Sequence, residues 1–223
     1  MLKNMRFLKN TLLSLIIFSN TCFGKEFDKL FVVLEPIESV SQIEKSLNNS
    51  FNKMIFRLSG SDSSSNIWRI INAGNARKNF IKSYSIKNID NESFLEVNFD
   101  KNLLIEVFKE LSIPIFSSSR PVILFLIEID SGNYEPYYLT NSQNNSELDV
   151  LLKNYLKNES TLRGVFLEIP ELDLIDVNQL INFEKLIDIE DIIKEKYIFD
   201  ELIKVKISKT GIDQWSIGGD IKM

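Results

Sequence analysis

The run VILFLI, Val122 to Ile127, is apolar on both faces, and nothing else in the chain restricts the fold as tightly. A half-exposed strand alternates apolar and polar residues; a strand without polar positions belongs inside a sheet covered on both sides. Six residues fall far short of the roughly 20 that a membrane helix needs, and Arg120 and Asp130 stand close to either end. The run is therefore expected to be the central strand of a sheet with helices packed on it, within an α+β protein of two small units.

The N-terminus carries a different signal. Lys3, Arg6 and Lys9 precede the short apolar stretch TLLSLIIF, and Cys22 and Gly24 supply small residues before Lys25. A basic start, a short apolar core and a small-x-small exit describe a secretory signal peptide. Residues 1–24 are expected to be removed near Gly24 and the mature protein to be periplasmic. Two alternatives keep the segment: an uncleaved membrane tether, and lipidation at Cys22. Cleavage leaves 23 basic against 31 acidic residues, a net charge of −8, and removes the single cysteine of a chain without histidine. The fold then rests on its core alone. An acidic chain with no basic stripe points away from nucleic acid and from anionic membrane surfaces.

Residues 25–116 read as a first unit of strand, helix, hairpin and helix. KLFVVLEPI, residues 29–37, is a buried strand halted by Pro36. Val40, Ile43, Leu47, Phe51, Met54 and Leu58 recur every three or four residues on one helix face, with Ser41 and Glu44 as a capping box and Gly60 as terminator. A short helix over 67–73 turns Trp68 and Ile71 inward. Tyr84 and Ile86, then Leu95, Val97 and Phe99, alternate with polar residues around NIDN, which predicts a hairpin. Asp100 caps a helix that buries Leu103, Leu104, Val107, Phe108 and Leu111. SIPIFSSSRP, residues 112–121, follows no period and marks the boundary.

Residues 117–223 read as a βαβαββ unit, a mixed sheet shortened at its C-terminal end. GNYEPYYL pairs beside the central strand. Ser146 and Asp149 form a capping box for a helix with Leu148, Leu151, Leu152, Tyr155 and Leu156 on one face. GVFLEIP is a second strand, and a further helix turns Ile189, Ile192, Ile193 and Tyr197 inward. Ile203, Val205 and Ile207 alternate with Lys204 and Lys206, and a turn at Gly211 leads to Trp215 and Ile217. That last strand is expected to be either an exposed edge or one covered by something outside the chain.

Little catalytic machinery is available. Without histidine or a mature cysteine, Ser-His-Asp triads, thiol catalysis and the usual zinc sites cannot be built. Neither phosphate-cradling glycine motif is present, nor a calcium loop, so no cofactor is implied. The serines at 61, 63–65 and 117–119 lack a positioned activator and read as loop serines. EIPELDLID gathers Glu168, Glu171, Asp173 and Asp176 beyond a strand, which suits either a solvated rim or a hard-cation or acid/base site. Arg120 reads as a structural ion-pair donor to Glu128 or Asp130, and Trp68 and Trp215 as core or interface anchors.

Several motifs, taken in order, resemble a family of exported gammaproteobacterial proteins catalogued as domain of unknown function number two thousand and sixty-six. SFNKMIFRLSGS resembles its helix end at Ile55, Leu58, Ser59 and Gly60. Phe99, Asp100, Pro114, Phe116, Arg120, Pro121 and Asp130 match its middle segment, where the family usually has Trp-Gly in place of Phe116 and Ser117. Arg163, Gly164, Pro170, Leu172, Asp173, Leu174, Tyr197 and Asp200 match its C-terminal part. The resemblance implies export and a two-part α/β build, the second part similar to N-terminal domains of Tol-type periplasmic proteins, and assigns no activity. The resulting expectation is a non-catalytic periplasmic protein that binds or helps assemble an envelope component through Arg120 or the second sheet's edge. The rival is a carboxylate-based hydrolase or divalent-metal binder using Glu168, Asp173 and Asp176.

Overall fold

The two stretches of apolar periodicity become two separate sheets in the computed structural model, which describes residues 25–89, 91–116, 118–132, 135–142, 146–171, 189–212 and 214–222. The signal segment, Ser117, Asp173 and Asp176 lie outside the described residues. The fold is mixed α+β. In chain order the elements are β1 (Lys25–Glu26), β2 (Val32–Pro36), α1 (Ile43–Ser59), α2 (Ser65–Asn72), β3 (Ile81–Ile89), β4 (Glu92–Phe99) and α3 (Lys101–Glu110). There follow β5 (Ser119–Arg120), β6 (Val122–Asp130), β7 (Tyr137–Tyr138), α4 (Glu147–Arg163), β8 (Phe166–Glu168), α5 (Ile189–Lys196), β9 (Glu201–Lys209) and β10 (Trp215–Lys222). Among the described residues no helix is long and apolar enough to cross a membrane.

The first sheet is antiparallel in the order β2-β4-β3. Asn91 takes the left-handed conformation at the hairpin turn, which asparagine tolerates. Phe51, Met54, Ile55 and Leu58 of α1 pack with Leu104 and Phe108 of α3 on Val33, Leu95, Val97 and Phe99. Three expectations need correction here. Val40 is 69% exposed and Ser41 caps nothing, because α1 is preceded by a 3-10 turn over Val40–Gln42. The tighter winding shifts the phase and rotates Val40 off the apolar face; Ser41 Oγ bonds Ser39 Oγ at 2.8 Å instead. Trp68 faces solvent because α2 buries Asn66 and Ile70, and two residues along a helix is the opposite side. Tyr84 and Ile86 pair with Val97 and Leu95 but are exposed, since α1 lies over β2 and β4 and leaves β3 uncovered.

In the second sheet β6 is central, as its two apolar faces demand. β9 runs parallel along one side of it; parallel β8 and antiparallel β7 divide the other side, and β10 follows β9 at the edge. Leu124, Leu126 and Leu202 pack with Ile193 of α5 on one face. Ile127, Ile129 and Ile207 pack with Leu148, Leu152 and Leu156 of α4 on the other. The α4 stripe is narrower than expected: Leu151 and Tyr155 are exposed, and so is Leu103 on α3. The Ser146 cap forms, accepting from the Asp149 amide, and the buried Asp149 carboxylate accepts from Tyr137 Oη at 2.8 Å and Ser146 Oγ at 2.6 Å. Burial raises the Tyr137 hydroxyl pKa, so it remains a donor at neutral pH.

Asp100 accepts from the Asn102 and Leu103 amides. Asp100→Ala is expected to cost about 1 kcal/mol, and Asp149→Ala about 2–3 kcal/mol because it also strands the Tyr137 hydroxyl. Urea unfolding midpoints check the order; equal losses would contradict it.

Candidate functional site

The last turn of α1 carries a buried arginine, Arg57, only 3% exposed. Its guanidinium donates to five backbone carbonyls. Nη1 reaches Lys29 at 3.4 Å, Leu30 at 3.0 Å and Val32 at 2.7 Å; Nη2 reaches Thr161 at 2.7 Å and Nε reaches Leu162 at 3.3 Å. The first three belong to the segment that enters β2, and the last two to the final turn of α4. A helix end gathers about half a negative charge on its free carbonyls, so α4 stands in for a carboxylate. Burial, and then the neighbouring Arg120, pull the Arg57 pKa down to about 10, which leaves it charged at neutral pH.

Arg120, on β5, is equally buried and repeats the arrangement in the other direction. Its Nη2 donates to the Arg57 carbonyl, in the last turn of α1, at 3.2 Å. Its Nε is buried and has no hydrogen-bond partner among the described residues, and burial lowers its pKa too. Arg163, at the end of α4, donates from Nε to Glu159 at 2.7 Å and lies over the Phe56 ring at 5.3 Å. Two left-handed glycines let these groups approach. A Cβ on Gly164 would stand 2.9 Å from the Arg57 stem, and one on Gly60 would stand 2.5 Å from the Phe116 ring. The three arginines, with Phe56, Phe116 and Val165, line a cavity of about 160 Å³.

The Ser59-Gly60, Phe116, Arg120-Pro121 and Arg163-Gly164 positions singled out in the sequence therefore meet at one place. The partners expected for Arg120 do not. Glu128 pairs with Lys206 at 2.6 Å, and Asp130 accepts from the Gly132 amide at 2.9 Å. A strand sends alternate residues to opposite faces, and the carboxylates lie further along β6 than the arginine can follow while it is held against α1. Glu168 is paired with Lys25 at 3.3 Å. Among the described residues no three acidic, histidine or cysteine side chains converge on a cation position. Trp68 and Trp215 are both largely exposed, so neither is a core anchor. The serines at 61, 63 and 65 bond one another and neighbouring amides as turn residues do.

Arg57 went unnoticed in the sequence because a cation in the last turn of a helix ordinarily complements that helix from the surface. The available signal was its position three residues after Met54 and one before Leu58, on the apolar face. Compared with family models, curated proteins and solved structures, the chain matches none.

Arg57→Met leaves five carbonyls without their donor and is expected to lose about 3–5 kcal/mol of stability. Arg57→Lys recovers only part of it, since an ammonium cannot span the same planar fork. Denaturant titration measures both, and a loss under about 1 kcal/mol for the methionine variant contradicts the role assigned.

Proposed function

We propose that the chain is an exported, non-catalytic protein of the resembled exported family, and that it binds an extended segment of an envelope protein by adding it as a strand beside β10. The observation that carries this is the open edge of the second sheet. β10 pairs with β9 alone among the described residues, and all of Trp215 to Asp220 is exposed. Edge strands that must avoid partners carry charges, prolines or bulges. β3, one of the two edges of the first sheet, has Lys82, Lys87 and a register irregularity between Ile81 and Ser83. The stretch from Trp215 to Gly219 has no charge and no proline, and Ile217 is 73% exposed. A mixed βαβαββ sheet similar to those of Tol-type periplasmic domains suits such a role, since strand addition takes its affinity from main-chain hydrogen bonds and needs no catalytic group. The signal-like N-terminus supports a periplasmic setting, with Lys25 as the mature first residue.

A photo-cross-linker at Ile217 is expected to trap an envelope protein in cells, whereas one at Tyr84 on the guarded β3 edge is not. In the protein without a cross-linker, Ile217→Lys should abolish co-purification of the partner so identified while stability changes by no more than about 0.5 kcal/mol. Equal trapping at both edges, or none at Ile217, would sink the proposal. Intact mass of the protein from its host tests export separately: a mature N-terminus at Lys25 is expected, and retention of Met1 contradicts it.

A further inference from the structure

We infer that the arginine-lined cavity between the ends of α1 and α4 is a binding site for a monoanionic carboxylate that carries an apolar body. The charge balance comes first. Arg57, Arg120 and Arg163 bring three positive charges to one small space, and the described carboxylate bonded to this set is Glu159, on Arg163. The carbonyl ends of α1 and α4 contribute about half a negative charge each, so about one positive charge is left over. Two of the three arginines, Arg57 and Arg120, are only 3% exposed, and a charge buried to that degree is costly unless an anion offsets it.

Donor chemistry sharpens the class of ligand. All three Arg57 nitrogens already donate to carbonyls, so it offers the site chiefly charge. Arg120, only 3% exposed, keeps an Nε–H with no partner among the described residues. Arg163, its side chain about half exposed, stands at the rim. Guanidinium groups match the two oxygens of a carboxylate in geometry and in charge.

The remaining walls are Phe56, Phe116 and Val165, which accept a ring or a branched aliphatic group. Cavities of about 150 Å³ hold benzene, and this one measures about 160 Å³. Phe116 is 56% exposed and with Arg163 marks the mouth, so a ligand enters without opening the core. Gly60 keeps that mouth clear, because a side chain there would meet the Phe116 ring. The site is separate from β10, and it stands or falls independently of strand addition there.

The test is calorimetric titration of the full-length protein with benzoate and, as the neutral isostere, benzamide. Benzoate is expected to bind saturably at one site and benzamide at least tenfold more weakly. Arg163→Ala, which removes an exposed side chain and leaves Arg57 in place, should weaken benzoate by roughly tenfold to a hundredfold at an unchanged melting temperature. Arg120→Gln should do the same if it folds, and the Arg163 variant decides the matter if it does not. A tripeptide ending in a free phenylalanine carboxylate identifies the source: tighter binding than benzoate indicates a chain terminus, weaker binding a small acid. Absence of benzoate binding, equal binding of benzamide, or full affinity in Arg163→Ala overturns the inference.

Discussion

Everything around the centre of this protein depends on one guanidinium. Arg57 joins the segment that leads into β2, the helix that covers the first sheet and the end of the helix that covers the second. It bonds backbone from both halves of the chain while only 3% exposed. A buried charge of this kind is tolerated because each of its three nitrogens donates to backbone and because helix ends supply an opposing field. Arg120 applies the same solution in reverse, from the second half back to the end of α1. The two arginines lock the halves at the point where an irregular, proline-containing segment would otherwise give freedom. The β1–β5 bridge, Lys25 opposite Arg120, and the Phe27–Phe166 ring contact at 5.3 Å add a second seam beside it.

The arrangement also explains why the glycines and the proline stand where they do. Gly60 and Gly164 end their helices in the left-handed conformation, and each also removes a side chain from the path of a neighbour, Phe116 in one case and the Arg57 stem in the other. Pro121 separates the two residues of β5 from the long β6, so Arg120 points into the joint while Val122 begins the central strand. Packing and electrostatics thus converge on a cavity whose walls are apolar and whose field is positive.

Much of the fold was legible in the sequence because period and punctuation agreed. The two-faced VILFLI run required a central strand, the hairpin around NIDN required β3 and β4, and Asp100, Ser146 and Gly60 marked helix ends by chemistry that depends on local backbone alone. The misreadings share a cause: each needed to know what lay opposite. Val40 kept the helical spacing yet sits in a 3-10 turn. Tyr84, Ile86, Leu151 and Tyr155 kept the apolar period yet have no element over them. Arg120 was recognised as a structural donor, but the acceptor it meets is the Arg57 carbonyl, and a carbonyl carries no sequence signature. Arg57 stood on the apolar face of its helix, a signal in the sequence, but which carbonyls meet it follows from tertiary placement of Leu30 and Thr161, far away in the chain.

Trp68 and Trp215 lie in different halves of the chain and make the central claim measurable. Chemical unfolding of the Trp68→Phe and Trp215→Phe variants, each followed by the fluorescence of the remaining tryptophan, reports the two halves separately. If Arg57 couples them, the two transitions coincide in the wild-type background and separate when Arg57→Met is added. Separate transitions with Arg57 present, or coincident ones without it, would contradict the account.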